Sequence, residues 1–219
     1  MHDSPQLDGG YFTAAVAFEG GLGLLALLIG WLVGHYPGQT IGLTVESLPD
    51  NGWAVLWGSL AAIPMLAGLV LLQQLPFRAF ERLREILEQL VLPLFKESSV
   101  LELALLSLIA GVGEELLFRG LLQHALATWI GGSTGLWVGI AVASIAFGCA
   151  HAITRTYVVL AAIISVYLGL LFFWTGNVLA PIAAHAVYDF IALLYLVKWR
   201  TLPDPAVTQA SAEESDDSP

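Results

Sequence analysis

Three stretches of this chain contain no Asp, Glu, Lys or Arg: Asn51 to Phe77, Gly120 to Thr154 and Thr156 to Tyr188. Each is long enough for one or two helices of the roughly 20 apolar residues that a bilayer core demands. Charged residues are 12% of the 219 and hydrophobic ones 57%, whereas a soluble domain usually carries about 25% charged residues. The mean hydropathy is +0.77. The chain reads as an all-α, polytopic transmembrane helix bundle, and soluble burial does not account for it.

The spans divide at the remaining punctuation. About six are expected, and at most seven or eight. The first runs from about Phe12 to Gly34, ended by Tyr36-Pro37-Gly38, and the second from about Trp53 to Leu75 with Pro64 as a kink point. From Phe77 to Leu92, Arg78, Glu81, Arg82, Arg84, Glu85 and Glu88 alternate with apolar residues at helical spacing, which predicts an amphipathic helix on the membrane surface. A long third span, about Ser99 to Trp129, is closed by Gly131-Gly132-Ser133. The fourth covers about Gly135 to Ile153, the fifth about Tyr157 to Trp174, and the sixth about Val178 to Trp199. Three regions follow: residues 1–98 with two spans and the amphipathic linker, a membrane domain at 99–200, and an acidic tail at 201–219. That tail, with Glu213, Glu214, Asp216 and Asp217 after Pro203 and Pro205, reads as solvated and disordered.

Basic residues lie between spans two and three (Arg78, Arg82, Arg84, Lys96), between four and five (Arg155) and after six (Lys198, Arg200). By the positive-inside rule both termini face the cytoplasm of a cell-membrane protein. No Lys or Arg precedes the first apolar stretch, so it reads as a retained helix and not a signal peptide. The formal net charge of -10 gives no reason to expect a nucleic-acid partner. A single cysteine, Cys149, excludes an internal disulfide.

Ionisable residues inside spans are costly, at least about 2.5–3.5 kcal/mol each, so each implies a partner or a purpose. The third span holds Gly113-Glu114-Glu115-Leu116-Leu117-Phe118-Arg119. Glu115 and Arg119 are spaced i,i+4 with the acid first, the favourable order for a same-face pair. Glu114 points about 100° away and is left without a local partner, beside Gly111 and Gly113, where another helix or a ligand can come close. The fourth span carries Phe147 and His151. The sixth carries His185 and Asp189, again i,i+4, so that the carboxylate can fix the imidazole tautomer. A lone helical histidine is usually a hydrogen-bonded core residue, but a His–Asp face and an unpaired glutamate are harder to explain as structure. Glu114, His151 and His185, with Asp189 beside them, suit hydrolysis: a carboxylate base for water, and histidines that donate to an oxyanion. With the glutamate they also suit a divalent metal such as zinc. By residue type alone the set would serve a proton-coupled transporter or relay equally well.

Glu114-Glu115-x-x-x-Arg119, Phe147-x-x-x-His151 and His185-x-x-x-Asp189, in that order and each on its own span, resemble the three motifs of the CAAX protease and bacteriocin-processing family. This is the Abi, or type II CAAX prenyl endopeptidase, family of intramembrane peptidases. The resemblance covers about Leu101 to Val197 and is silent about the first two spans. It implies a helical membrane endopeptidase acting on a membrane-embedded or lipidated protein substrate, through a site opening to the cytoplasmic side and the bilayer. In that reading Glu114 activates water and Glu115 with Arg119 supports the motif helix. His151 and His185 hold the water, a metal or the oxyanion, Asp189 assists, and Phe147 packs beside them. A prokaryotic member would mature a peptide, degrade a membrane protein or confer bacteriocin resistance.

Other intramembrane proteases fit poorly: His-Glu-x-x-His is absent, Gly131-Gly132-Ser133-Thr134 lacks the glycine that follows a rhomboid serine, and a presenilin aspartate is replaced by Glu114. Cys149 is about 200° from His151 on a helix, a poor dyad, and reads as a small apolar filler. An idle immunity or scaffold protein is the remaining rival. His2, His35 and His124 are left outside the site.

Overall fold

In the computed structural model, residues 8–199 are described; the acidic tail and His2 lie outside them. Helix α1 covers Asp8–Val33, α2 Leu48–Gln74, α3 Arg78–Phe95, α4 Val100–Glu115, α5 His124–Ile130, α6 Gly132–Ala150, α7 Arg155–Thr175 and α8 Leu179–Leu194. Between α4 and α5 the chain stays helical as a π stretch, Leu116–Gln123, so the two are halves of one rod. A short π turn, Tyr195–Trp199, follows α8. No strand occurs among the described residues.

Five of these helical segments are long and apolar enough to cross a membrane: Gly10–Val33, Val45–Gln74, Gly132–Ala150, Arg155–Thr175 and Leu179–Lys198. The expected third span, the α4–α5 rod, is not among them because it carries Glu114, Glu115 and Arg119. It gains its place from packing. The α4 half lies against α1 and α8, and the π stretch against α1, α6 and α7. The bundle exposes large apolar side chains and buries charged ones within an otherwise apolar core: Trp31 and Trp174 are 76% and 71% exposed, while Glu115 and Arg119 are 0% exposed. Hydrocarbon is the solvent such an exterior matches.

Local chemistry sets the ends of these rods. Ser99 caps α4 by accepting from the Glu102 amide while the Glu102 carboxylate accepts from the Ser99 amide at 2.7 Å, a reciprocal capping box. The Thr154 hydroxyl accepts from the Tyr157 amide and opens α7. Arg84, on the amphipathic α3, donates to the Leu72 and Gln73 carbonyls that α2 leaves open at its end. Helix α6 stops at Ala150, three residues before the expected end. His151 is therefore its C-cap (φ -98°, ψ 34°), followed by a turn into α7. Cys149 faces outward and is not a core filler.

Two glycines decide how closely α4 is approached. A Cβ on Gly113 would collide with the Glu19 carbonyl of α1, and one on Gly111 would press on Ile182 and Ala186 of α8. The backbones of α1 and α8 therefore come within side-chain reach of the glutamates, the close packing that small residues permit between membrane helices.

Candidate active site

The rod, α6 and α8 bring Glu114, Glu115, Arg119, Phe147, His151, His185 and Asp189 into one connected cluster. Glu115 is its most constrained member. Its Oε1 accepts from Arg119 Nη1 at 2.9 Å and from His185 Nδ1 at 2.8 Å. Arg119 then donates Nη2 to the Ser165 hydroxyl at 2.8 Å and to the Ser165 carbonyl at 3.0 Å, binding the rod to α7. One helical turn further, Gln123 donates to the Gly169 carbonyl at 3.0 Å. All are buried, and those of Arg119 are charge-assisted, the strong kind.

His185 is held from both sides. Its other nitrogen, Nε2, lies 3.2 Å from Asp189 Oδ2. A carboxylate accepts, so Nδ1–H donates to Glu115, while Nε2 is turned toward Asp189. Spacing placed His185 and Asp189 on one face; the bond to Glu115, seventy positions away in the chain, is a tertiary fact that no local pattern shows.

Glu114, one residue from Glu115, has a different environment. It is 6% exposed, and its Oε2 is buried without a hydrogen-bond partner. His151 Nε2 stands 3.8 Å from that oxygen, too far for a direct bond and a gap that one water can bridge. His151 Nδ1 is 2.9 Å from the Phe147 carbonyl. A carbonyl accepts, so the ring hydrogen sits on Nδ1 and Nε2 offers its lone pair toward Glu114.

Phe147 is the spacer of the site. The His151 ring stacks on it (centroids 4.4 Å apart, planes at 20°), and the Arg119 guanidinium lies 4.8 Å over its ring centre. His185 meets its edge at 6.0 Å and Phe118 at 5.1 Å.

An apolar cavity of about 530 Å³ lies between α2, α3, α7 and α8, lined by Met65, Leu69, Leu87 and Ile164 among others. Asp189 and Tyr157 also line it, and Tyr157 meets the His151 ring at 5.9 Å, so the cavity reaches the site.

Sequence reasoning missed two neighbours. Ser165 has no local signature. Glu19 on α1 meets Glu114 side chain to side chain and lies within the electrostatic reach of Asp189 and His185. It is the sole charged residue between Phe12 and Gly34, and that isolation within a span was the available signal. His35 and His124 stay apart from the cluster, edge to face with each other at 4.9 Å.

As arranged, the candidate ligands do not converge on one point: Glu115 engages His185 Nδ1, and Asp189 lies 3.2 Å from Nε2. Among the described residues, no three of the His, Cys, Asp and Glu side chains gather as a metal-holding group.

Fold and site together define a polytopic helical membrane protein with a glutamate–histidine centre enclosed by its helices. The family model "Type II CAAX prenyl endopeptidase Rce1-like" matches residues 96–191, the stretch that holds all three motifs. That match agrees with the resemblance read from the motifs. The family points to a hydrolase, a protease in general. The chain is also 28% identical over 136 residues to the uncharacterized protein YpbD of Bacillus subtilis (strain 168), over 61% of this chain and 63% of that protein. The similarity therefore spans less than two thirds of YpbD. No solved structure matches the chain at a significant level.

Proposed function

We propose that the protein is an intramembrane endopeptidase that hydrolyses a peptide bond of a membrane-embedded or lipid-modified substrate, using water activated by Glu114. The observation that carries this reading is the 3.8 Å gap between an unpartnered Glu114 oxygen and the free nitrogen of His151. A water in that gap gives one hydrogen to each and keeps a lone pair for the scissile carbonyl carbon. As the new C–O bond forms, the proton passes to Glu114. Glu114 returns it to the amide nitrogen as the C–N bond breaks. Such acid–base work is typically worth about 10²–10⁴-fold in rate.

The oxyanion is met by His185. Its Nδ1–H is held at 2.8 Å by Glu115, while Nε2 lies 3.2 Å from Asp189 without a hydrogen bond; in the protonated ring Nε2–H is free to turn toward developing charge. Glu115 and Arg119 take no part in proton transfer; they hold His185 and the rod. The polar groups form one cluster around one gap. That supports hydrolysis over a transport relay, whose groups would follow one another across the bundle. The apolar cavity beside Asp189 and Tyr157 suits a substrate presented from lipid. By the positive-inside rule, the basic residues of α3 and its flank support an orientation with this cavity toward the cytoplasmic leaflet and both termini in the cytoplasm.

The test is membrane proteomics of cells expressing wild type or Glu114→Ala. A membrane protein or lipidated peptide should accumulate uncut in the variant, and purified Glu114→Ala should not cleave it. Undiminished cleavage by the purified variant would remove the assignment.

A further inference from the structure

The family match begins at residue 96, and the hydrolytic scheme above uses nothing before Glu114. Yet α1 reaches the site. Its Glu19 carbonyl lies where a side chain on Gly113 would be, and its Gly23 would carry a Cβ 3.3 Å from the Gly113 Cα. This contact sets the Glu19 carboxyl against that of Glu114, within the electrostatic reach of Asp189 and His185.

Glu115 has the Arg119 guanidinium, and Asp189 has the His185 ring; among the described residues neither Glu19 nor Glu114 has a Lys or Arg ion pair. Two carboxylates have no hydrogen to share, and each would keep a buried oxygen, Oε2, without a partner. Like charges in contact in a low-dielectric interior repel strongly. One hydrogen carried by Glu19 and donated to the Glu114 carboxylate removes the repulsion and leaves Glu114 a lone pair for the water.

We propose that Glu19 is a positioning residue of this site: its carboxyl hydrogen-bonds that of Glu114 and holds it facing His151. The proposal rests on the hydrolytic reading for its catalytic consequence, but not for the contact itself. It gives the first helix a task. Glu19 acts through Glu114 and does not touch substrate.

Two measurements test it on the purified full-length protein. In the first, Glu19→Gln retains a hydrogen-bond donor for Glu114 and Glu19→Ala does not. Turnover should stay within about threefold of wild type for Gln and fall about ten- to a hundredfold for Ala, with KM and melting temperature kept, as for a lost charge-assisted bond. A Gln variant as impaired as Ala, or an Ala variant as active as wild type, overturns the proposal. In the second, infrared difference spectroscopy in H2O and D2O should show a carboxylic-acid carbonyl band in wild type that disappears in Glu19→Gln. A band that persists, or that wild type lacks, also overturns it. If the band behaves as expected while wild type cleaves nothing, the pair stands and the peptidase reading falls.

Discussion

Glu114 and Glu115 are neighbours in sequence, both buried, yet they belong to two different kinds of interior. Glu115 is closed: one oxygen serves Arg119 and His185, and Arg119 continues to Ser165. Glu114 is open: an unpartnered oxygen, a histidine lone pair 3.8 Å away, and a second carboxyl beside it. A turn of about 100° around one helix separates them. Each glutamate keeps a buried Oε2 without a partner, but only Glu115 has a guanidinium and an imidazole bonded to its other oxygen. A membrane interior penalises unpaired charge heavily, so a chain that gives one glutamate a cation and its neighbour none is holding the second for use. The closed side supplies rigidity and the open side supplies reactivity.

Substitutions should separate the two sides. Glu114→Gln removes the base and little else; cleavage should fall by about 10³-fold or more while the melting temperature stays at or above that of wild type. Glu115→Ala does the reverse. It leaves Arg119 buried without its carboxylate, a loss of about 3–5 kcal/mol, visible as a lower unfolding temperature in detergent together with lost activity. A thermally unchanged Glu115→Ala protein would show that the closed side is not the support described here. Ser165→Ala should cost about 1.5–3 kcal/mol through the lost hydroxyl acceptor of Arg119, measured as stability, with activity following stability and not falling below it. Phe147→Leu should be mildest in stability, about 0.5–2 kcal/mol for the cation–π contact. Because Phe147 also backs the His151 ring, its turnover should drop more than its melting temperature, and a drop in melting temperature alone would place Phe147 on the closed side only.

Much of this was legible before any coordinates. Charge-free runs marked the spans because hydrocarbon excludes charge wherever no partner waits. The i,i+4 spacings put Glu115 with Arg119 and His185 with Asp189 because a helix repeats on that interval. What was not legible came from contacts between distant segments. Glu115 with His185, Arg119 with Ser165, and Glu19 with Glu114 depend on how closely backbones approach at Gly111 and Gly113. The position of His151 was misjudged for a local reason. Ala150 ends α6 and the ring stands on a cap, whereas continuing apolarity through Ile153 reads as helix. The α4–α5 rod passed as an ordinary span because hydropathy does not register the π turn at its centre.

That turn acts as a phase setter. A π stretch closes its hydrogen bonds over five residues instead of four, so the halves α4 and α5 meet one residue out of step, about 100° of rotation. Upstream, the phase aims Glu114 and Glu115 at α1 and α8. Downstream, it seats Gln123 and Ala127 against Gly139 and Gly135 of α6, the helix whose end holds His151. A chain shorter by one residue between Arg119 and Gln123 would keep every motif spacing and every apolar run. It would aim its acid and its histidine in different directions.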